Sequence, residues 1–230
     1  DFSSDRGRPV KNKPILLSNG DWAAPASLEN ALGRKKRAWR GFVDFSSDGG
    51  KSWHMSSIVM PEDTHWGSIQ PTVWESKPGH LHMLMRSSRG GHAMVWKADS
   101  TDGGKNWSKP YQTKLPNNNS GLDVARMPHS GTLVLAYNPT SNADERFPLQ
   151  LAISDDNGKT WLVGWNADVE HGDVKNQGHE YSYPSCVPWP ATEPEEGFSV
   201  TYTWHRKRVV YMSMSLKELR AKATHIKYYD

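Results

Sequence analysis

Short runs in which apolar residues alternate with polar ones recur along the chain. Residues 94–98 and 149–153 are two such runs. A period of two places one side of a strand on a core and the other toward solvent, so each run predicts a half-buried β-strand. More continuous apolar runs at 80–85 and 132–137 precede them. The pattern therefore predicts pairs of neighbouring antiparallel strands.

One eight-residue pattern, Ser/Thr-x-Asp-x-Gly-x-x-Trp or close to it, occurs three times. The copies start at Ser46, Ser100 and Ser154, an interval of 54 residues each time. An Asp here accepts hydrogen bonds from the amides of its own turn, Gly or Asn takes positive φ, and the Trp packs over the loop. We therefore expect the carboxylates to be used by the turns rather than by a ligand or a metal.

Each turn closes a hairpin, and a 54-residue unit then holds about four short strands, the size of a propeller blade. The predicted fold is an all-β propeller formed by one domain, residues 1–230. The predicted blades are 14–60, 68–115, 121–169 and 178–217. Ser215 and Glu218 have the spacing of a helix capping box, which predicts a short C-terminal helix.

Composition narrows the class of protein. The chain has 11 Trp, 19 Gly and 15 Pro, which suits turn-rich β-structure, and its net charge is only +3. Basic residues are scattered apart from 34–40 and 205–208, so no nucleic-acid partner is predicted. A single cysteine, Cys186, excludes an intrachain disulfide, and no apolar run of about 18 residues predicts a membrane span.

The sequence says less about cofactors, oligomeric state and compartment. No His or Cys spacing resembles a zinc site, so no cofactor is predicted, while a structural calcium stays open. Nothing indicates the oligomeric state. The compartment is also open, with an extracellular or periplasmic location favoured.

The repeated turn resembles the Asp-box of the sialidase (neuraminidase) superfamily, and the chain is most similar to its BNR-repeat group. Further matching segments are 11–15, 70–72, 85–88, 115–123, 137–138, 180–184 and 201–204. Family members are six-bladed propellers with blades before the first of these segments. The resemblance thus implies that this chain lacks N-terminal blades, which would leave strand edges unpaired. A closed four-bladed ring is the alternative.

The resemblance also implies an acidic-sugar site. Sialidases hold the sugar carboxylate with three arginines, since guanidinium groups form paired, charge-assisted hydrogen bonds with it. Arg86 resembles the second of these, Arg146 is a candidate for the third, and the first would lie in an absent blade. Tyr181 takes the place of the tyrosine nucleophile. Predicted substrate-binding residues beside these two arginines are Gln70, Asn119, Asp123, Tyr183 and His205.

The proton acceptor is where the sequence departs from the family. Aligning the chain with sialidases puts Ser68 where they carry a Glu, so Tyr181 lacks its usual base. Glu180 is adjacent, although neighbours on a strand point to opposite faces. Histidines in the same predicted loops are further candidates for proton transfer: His65, His92, His179 and His205.

Three functions remain open from the sequence. The first is a sialidase-like glycoside hydrolase acting on terminal acidic sugars. The second is a uronate-directed polysaccharide lyase or rhamnosidase-like propeller, in which Tyr or His moves a proton and Arg neutralises the uronate. The third is a non-catalytic glycan-binding propeller whose aromatics stack on sugars, the candidates being Trp66, Tyr181, Tyr183 and Trp204. In each case the partner is a glycan.

Overall fold

A computed structural model of the protein describes residues 11–31, 37–61, 67–88, 93–142, 145–167, 180–223 and 227–229. The chain divides into two compact units, residues 1–113 and 114–230. Regular structure in the described segments is β apart from one short helix. No helix among these segments is long and apolar enough to cross a membrane.

The first unit contains two sheets whose strands pair in chain order. The first sheet has β1 (Ile15–Leu16), β2 (Trp22–Ala31), β3 (Arg37–Ser46) and β4 (His54–Met55). The second has β5 (Ser68–Lys77), β6 (His80–Ser87), β7 (Met94–Ser100) and β8 (Tyr111–Pro116). The unit boundary falls within β8. Four strands that follow one another across a sheet are the arrangement of a propeller blade.

The second unit contains the other two sheets. One has the order β16-β12-β11-β10-β9, formed by β9 (Asp123–Arg126), β10 (Leu133–Tyr137), β11 (Gln150–Ser154), β12 (Trp161–Asn166) and β16 (Lys227–Tyr229). The other has β13 (Tyr181–Pro188), β14 (Gly197–Trp204) and β15 (Arg208–Ser215). The prediction of an all-β protein with four blades is confirmed. The blade limits drawn from the sequence and the missing N-terminal blades stay predictions.

The helix α1 (Leu216–Lys222) follows β15 directly. Ser215 Oγ accepts a hydrogen bond from the Glu218 amide at 3.1 Å, and Glu218 Oε2 accepts one from the Ser215 amide at 3.0 Å. This reciprocal pair satisfies two amides that the first helical turn leaves without intrahelical partners. The predicted capping box and C-terminal helix are confirmed.

Each unit has its own apolar core. In the first unit the core consists of buried residues from both sheets: Leu17, Ala23, Val43, Phe45, Val59, Val73, Leu81, Met83, Met85, Trp96 and Ala98. In the second unit, buried residues of both sheets pack with Leu216 and Leu219 of α1. Paired blades therefore bury the apolar sides of their sheets against each other, as the alternation in the sequence predicts.

The Asp-box turns form as predicted. Asp48 Oδ1 accepts from the Lys51 and Ser52 amides, both at 2.9 Å, and Asp156 Oδ1 accepts from the equivalent amides of the third copy. Two consecutive residues take positive φ in every copy: Gly49 and Gly50, Gly103 and Gly104, Asn157 and Gly158. Each carboxylate thus satisfies the amides of a turn that the glycines make possible.

The second Asp-box also packs into the core of the first unit. Its Gly104 has φ +84, and a Cβ there would lie 2.3 Å from Phe45 Cζ and 3.1 Å from Leu81 Cδ2. Gly103, at φ +75, would place a Cβ with no atom within 4 Å. Gly104 is therefore required by packing as well as by backbone conformation.

Replacing Gly104 by Ala should lower the free energy of unfolding by about 3 kcal/mol or more, because overpacking adds to the cost of a side chain at positive φ. Gly103→Ala is the matched control and should cost only about 1 to 2 kcal/mol, the conformational part alone. Urea denaturation of both variants measures the difference. Equal losses would contradict the packing argument.

Acid should weaken the second Asp-box. Hydrogen bonds from the Asn106 backbone and side chain lower the pKa of Asp102 from 3.8 to about 2. A carboxyl whose pKa is lower in the folded state stabilises the fold above its unfolded pKa, and that contribution disappears as pH falls through the folded pKa. The stability gap between the native protein and Asp102→Asn should thus be widest at neutral pH and shrink between about pH 4 and pH 2. A gap that stays constant across denaturation curves in this range would contradict the assignment.

Candidate functional site

Backbone strain marks the opening strand of every sheet. Four residues other than glycine take positive φ within that strand or shortly before it: Lys11 (69°), Gln70 (53°), Asn119 (76°) and Tyr183 (53°). Gln70 and Tyr183 each precede a proline and lie where the pairing register shifts, in β5 and β13. Such conformations persist only where the surroundings enforce them, and they cluster at functional sites. Three of the four were predicted to bind substrate.

In the first unit, Gln70 holds the side chain of Arg86. Arg86 is 5% exposed, its Nη1 donates to Gln70 Oε1 at 2.9 Å, and its Cζ lies 5.6 Å from the centroid of the Trp39 ring. The backbone N–H of Gln70 donates to Ser27 Oγ at 2.7 Å, and the backbone carbonyl of Gln70 accepts from Asn12 Nδ2 at 2.9 Å. The Arg86 guanidinium is therefore held by the side chain of Gln70, and the backbone of Gln70 is itself held by two hydrogen bonds.

Ser68 is the residue that the resemblance places where sialidases carry a Glu. Its side chain is buried, and its hydroxyl donates to Met85 Sδ at 3.3 Å. A serine hydroxyl hydrogen-bonded to a thioether supplies no base.

In the second unit, Glu180 joins two arginines. Its Oε1 lies 3.2 Å from Arg146 Nη1, and its Oε2 accepts from Arg206 Nε at 2.6 Å. Ser182 Oγ also donates to Oε1 at 2.7 Å. Partial burial acts to raise the pKa of Glu180, but the bonds from Ser182 and Arg206 and the charge of Arg146 outweigh it and hold the pKa below its usual value. Glu180 is thus an ionised partner of arginine.

The two tyrosines of this segment differ in access. Tyr181 is 1% exposed, and its ring lies 6.0 Å from Phe147, 6.2 Å from Tyr202 and 5.2 Å from His205. Tyr183 is 39% exposed, and its ring centroid lies 5.0 Å from Arg146 Cζ. Residues 181 and 183 would share one face of a regular strand, but the positive φ of Tyr183 and the register shift after Ser182 interrupt the alternation. Tyr181 therefore lies in the core, and Tyr183 lies at the surface beside Arg146.

Buried polar side chains fix the position of β13. Asn138 Nδ2 donates to the Tyr181 carbonyl at 2.9 Å, and Asp123 Oδ2 accepts from the Cys186 amide at 2.8 Å. The His205 amide donates to the Glu180 carbonyl at 2.7 Å. Asp123, predicted to bind substrate, lies with its carboxylate fully buried among backbone amides, which suits a role in holding the strand.

The structure brings together part of the predicted site. Arg146, Glu180, Tyr181, Tyr183 and His205 form one cluster in the second unit, whereas Arg86 and Gln70 form a pair in the first. The prediction that Arg86 shares a pocket with the second cluster spans both units and stays a prediction. Other predicted residues lie outside the described segments: His65, Trp66, His92 and His179.

Arg206 is the member of the cluster that the sequence analysis did not single out. It belongs to the basic stretch 205–208, one of only two concentrations of basic residues in the chain. Residues 205–207 of that stretch form the tight turn between β14 and β15, where His205 and Arg206 take φ of 49° and 54°. Within the described segments, no group of three His, Cys, Asp or Glu side chains is placed to hold a metal ion.

Solved structures share this architecture. Hadza microbial sialidase Hz136 is similar with a TM-score of 0.67 and 18% identity, over 90% of this chain and 37% of that one. Trypanosoma rangeli sialidase is similar with a TM-score of 0.61 and 16% identity, over 90% of this chain and 31% of that one. At such identities the likeness shows the fold, which is that of a sialidase-type propeller.

Sequence comparisons agree with the structural ones. A protein called sialidase from Bacteroides fragilis (strain YCH46) is 25% identical over 211 residues, which are 89% of this chain and 35% of that protein. The chain therefore spans about a third of the length of this relative. A family model described as BNR repeat-like domain matches residues 6–193. Since that match covers most of the sequence, the chain belongs to the BNR repeat-like domain family.

Proposed function

We propose that the chain is the acidic-sugar-binding part of a sialidase-like glycosidase. The observation that carries this proposal is the surface cluster of Arg146, Glu180, Tyr183 and Arg206, which we call the arginine cluster. Two guanidinium groups there share one carboxylate, Glu180. The arginine cluster therefore keeps a net positive charge, which suits the carboxylate of an acidic sugar.

The arginine cluster is also organised in advance. Arg146 is held between Glu180 and the ring of Tyr183, at 3.2 Å from one and 5.0 Å from the other. Holding a long side chain in one orientation lowers the conformational entropy that it loses on binding. The exposed face of Tyr183 adds an apolar surface with a hydroxyl at its tip, which is the type of group that packs on sugar rings.

For turnover, we propose Tyr183 rather than Tyr181 as the tyrosine that meets the sugar. The sequence prediction chose Tyr181 from its position in the motif. Its ring is buried against three aromatic rings, whereas the Tyr183 ring is exposed and lies beside Arg146. In this proposal Tyr181 is a core residue whose ring packs against His205.

Names of similar proteins support a sugar substrate. One solved structure of Trypanosoma rangeli sialidase is a covalent intermediate with 2,3-difluorosialic acid. Because this chain spans only about a third of the lengths of such relatives, hydrolysis is proposed for the complete protein. Acidic-sugar binding is proposed for the chain itself.

A binding function without catalysis is the second candidate, and the state of Glu180 favours it. A general acid must hold its proton near neutral pH, and an efficient base needs a pKa close to the working pH. The lowered pKa of Glu180 makes it a poor acid and a weak base. If Glu180 were the only carboxyl group serving Tyr183, the cluster would bind acidic sugars without cleaving them.

Binding is tested with the chain itself. Arg146→Gln should weaken the affinity for an α2,3-linked sialoside by about tenfold or more, because a charge-assisted bond is lost. Arg208→Gln removes an equal charge from an arginine that stacks on Trp204, and it should change affinity by less than about threefold. Calorimetric titration of both variants, with the desialylated glycan as ligand control, measures this. Equal affinity for the two glycans would overturn the acidic-sugar assignment.

Turnover is tested in the complete protein with a fluorogenic sialoside. Tyr183→Phe should lower kcat by about 100-fold or more while sialoside affinity changes by only a few-fold, because one hydroxyl is removed from the reacting position. Tyr181→Phe is the matched control and should keep kcat within several-fold. The reverse order would restore Tyr181 as the reacting tyrosine.

A second substrate, a uronate-containing polysaccharide, separates the remaining functions. Absorbance from an unsaturated uronate product, with no sialoside cleavage, would support the lyase. Binding without turnover by the complete native protein would support the binding function.

A further inference from the structure

A chain of hydrogen bonds crosses three neighbouring strands of the second sheet, which belongs to the first unit, whereas the arginine cluster belongs to the second. Ser76 Oγ lies 2.8 Å from His82 Nε2, and His82 Nδ1 lies 2.5 Å from Asp99 Oδ1. His82 is directly opposite Asp99 in the pairing of β6 with β7, and opposite Trp74 in the pairing of β5 with β6. The sheet register itself therefore sets the order serine, histidine, aspartate.

Charges around Asp99 fix which atom carries the proton. Partial burial acts to raise the pKa of Asp99, but the His82 bond, the Lys97 charge and the Tyr111 bond outweigh it and leave the pKa lowered. The Tyr111 hydroxyl donates to Asp99 Oδ2 at 2.8 Å, and Lys97 Nζ lies 3.8 Å from Oδ1. An ionised carboxylate only accepts, so His82 donates through Nδ1. In the neutral imidazole, the lone pair of Nε2 then faces Ser76 Oγ.

The imidazole is also fixed in orientation. The Trp74 ring stacks on His82 with centroids 5.2 Å apart and an interplanar angle of 24°. Asp99 holds the Nδ1 edge of the imidazole, and Ser76 lies at the Nε2 edge. A base that is oriented by a third group and lies within hydrogen-bond reach of a hydroxyl is the arrangement that activates serine nucleophiles on unrelated folds.

Ser76 is placed where a substrate can approach. It is partly exposed and is the penultimate residue of β5, with only Lys77 between it and the turn that leads to β6. The pairing register shifts between Glu75 and Lys77, so Ser76 is the extra residue of a β-bulge. Bulges redirect side chains and are frequent beside active sites.

We propose that Ser76, His82 and Asp99 form a second site, which hydrolyses short-chain acyl esters. Ser76 Oγ attacks the acyl carbon while its proton passes to His82 Nε2, and the ester C–O bond then breaks as the departing alcohol oxygen takes that proton. Water next attacks the acyl-serine, gives a proton to Nε2, and releases the carboxylic acid while Ser76 regains its proton. Asp99 is a positioning residue that holds the imidazole.

A short acyl group suits the location. Ser76 is partly exposed and lies on β5, the first strand in the order of its sheet, so an ester can reach it from solvent. An acetyl ester is the smallest such group. The site does not depend on the arginine cluster, which belongs to the other unit, so the two proposals stand or fall separately.

The decisive experiment is labelling of the folded native chain with a fluorophosphonate probe, which reacts covalently with activated serines. Mass spectrometry should find the probe on Ser76 in preference to the other serines. His82→Gln should slow labelling of Ser76 by about 100-fold or more, because the base is lost. His54→Gln is the matched control, since it removes an exposed imidazole of the same unit that takes no part in this network, and it should keep the rate within about threefold.

Hydrolysis of p-nitrophenyl acetate gives the second measurement. The native chain should show a burst of nitrophenol and then steady turnover, and Ser76→Ala should show neither above the rate of free imidazole. Asp99→Asn should lower kcat by about tenfold or more with KM within threefold, because the imidazole loses its orientation and tautomer. Melting curves show which variants are folded.

The result that overturns the proposal needs no variant. If the folded native chain is not labelled at Ser76, or if His82→Gln leaves the labelling rate unchanged, the network only ties the three strands together.

Discussion

A turn amide that points away from any strand must find an acceptor, and three times in this chain an aspartate of the same turn supplies it. The carboxylates of Asp48, Asp102 and Asp156 each bind amides of their own hairpin loop. The loop can close so tightly because two successive residues accept positive φ in every copy. The regular spacing of the strands, and with it the packing of neighbouring sheets within each unit, depends on these closures.

The cluster proposed to bind acidic sugars depends on a different distortion of the backbone. At Tyr183, a positive φ followed by proline interrupts the pairing of β13 with β14, and the exposed ring turns onto Arg146. Gln70 has the same local conformation in the first unit, where it holds Arg86. Blades built on one plan thus bend their opening strands at corresponding places, and the polar groups proposed for function lie at those bends.

Electrostatics give the two proposed sites different chemistry. Glu180 is shared by two arginines, which leaves positive charge for an anion. Asp99 instead faces a histidine, with Lys97 and Tyr111 completing its surroundings, so its charge orients a base. The same kind of group, an ionised carboxylate with several donors, is thus proposed to support anion binding in one blade and nucleophile activation in another.

The sequence by itself determined the fold class, the hairpin turns and the C-terminal helix, because each rests on contacts between residues close in the chain. Alternation, the Asp-box spacing and the pair Ser215 and Glu218 are all local patterns. Burial and proximity between strands were decided by the tertiary structure. The motif favoured Tyr181 as the reacting tyrosine, and only the packing of β13 shows that its ring is buried while the ring of Tyr183 is exposed. The partnership of Arg206 with Glu180, and the alignment of Ser76, His82 and Asp99, likewise join residues whose distance in sequence says nothing of their distance in space, since sheet register alone brings them together.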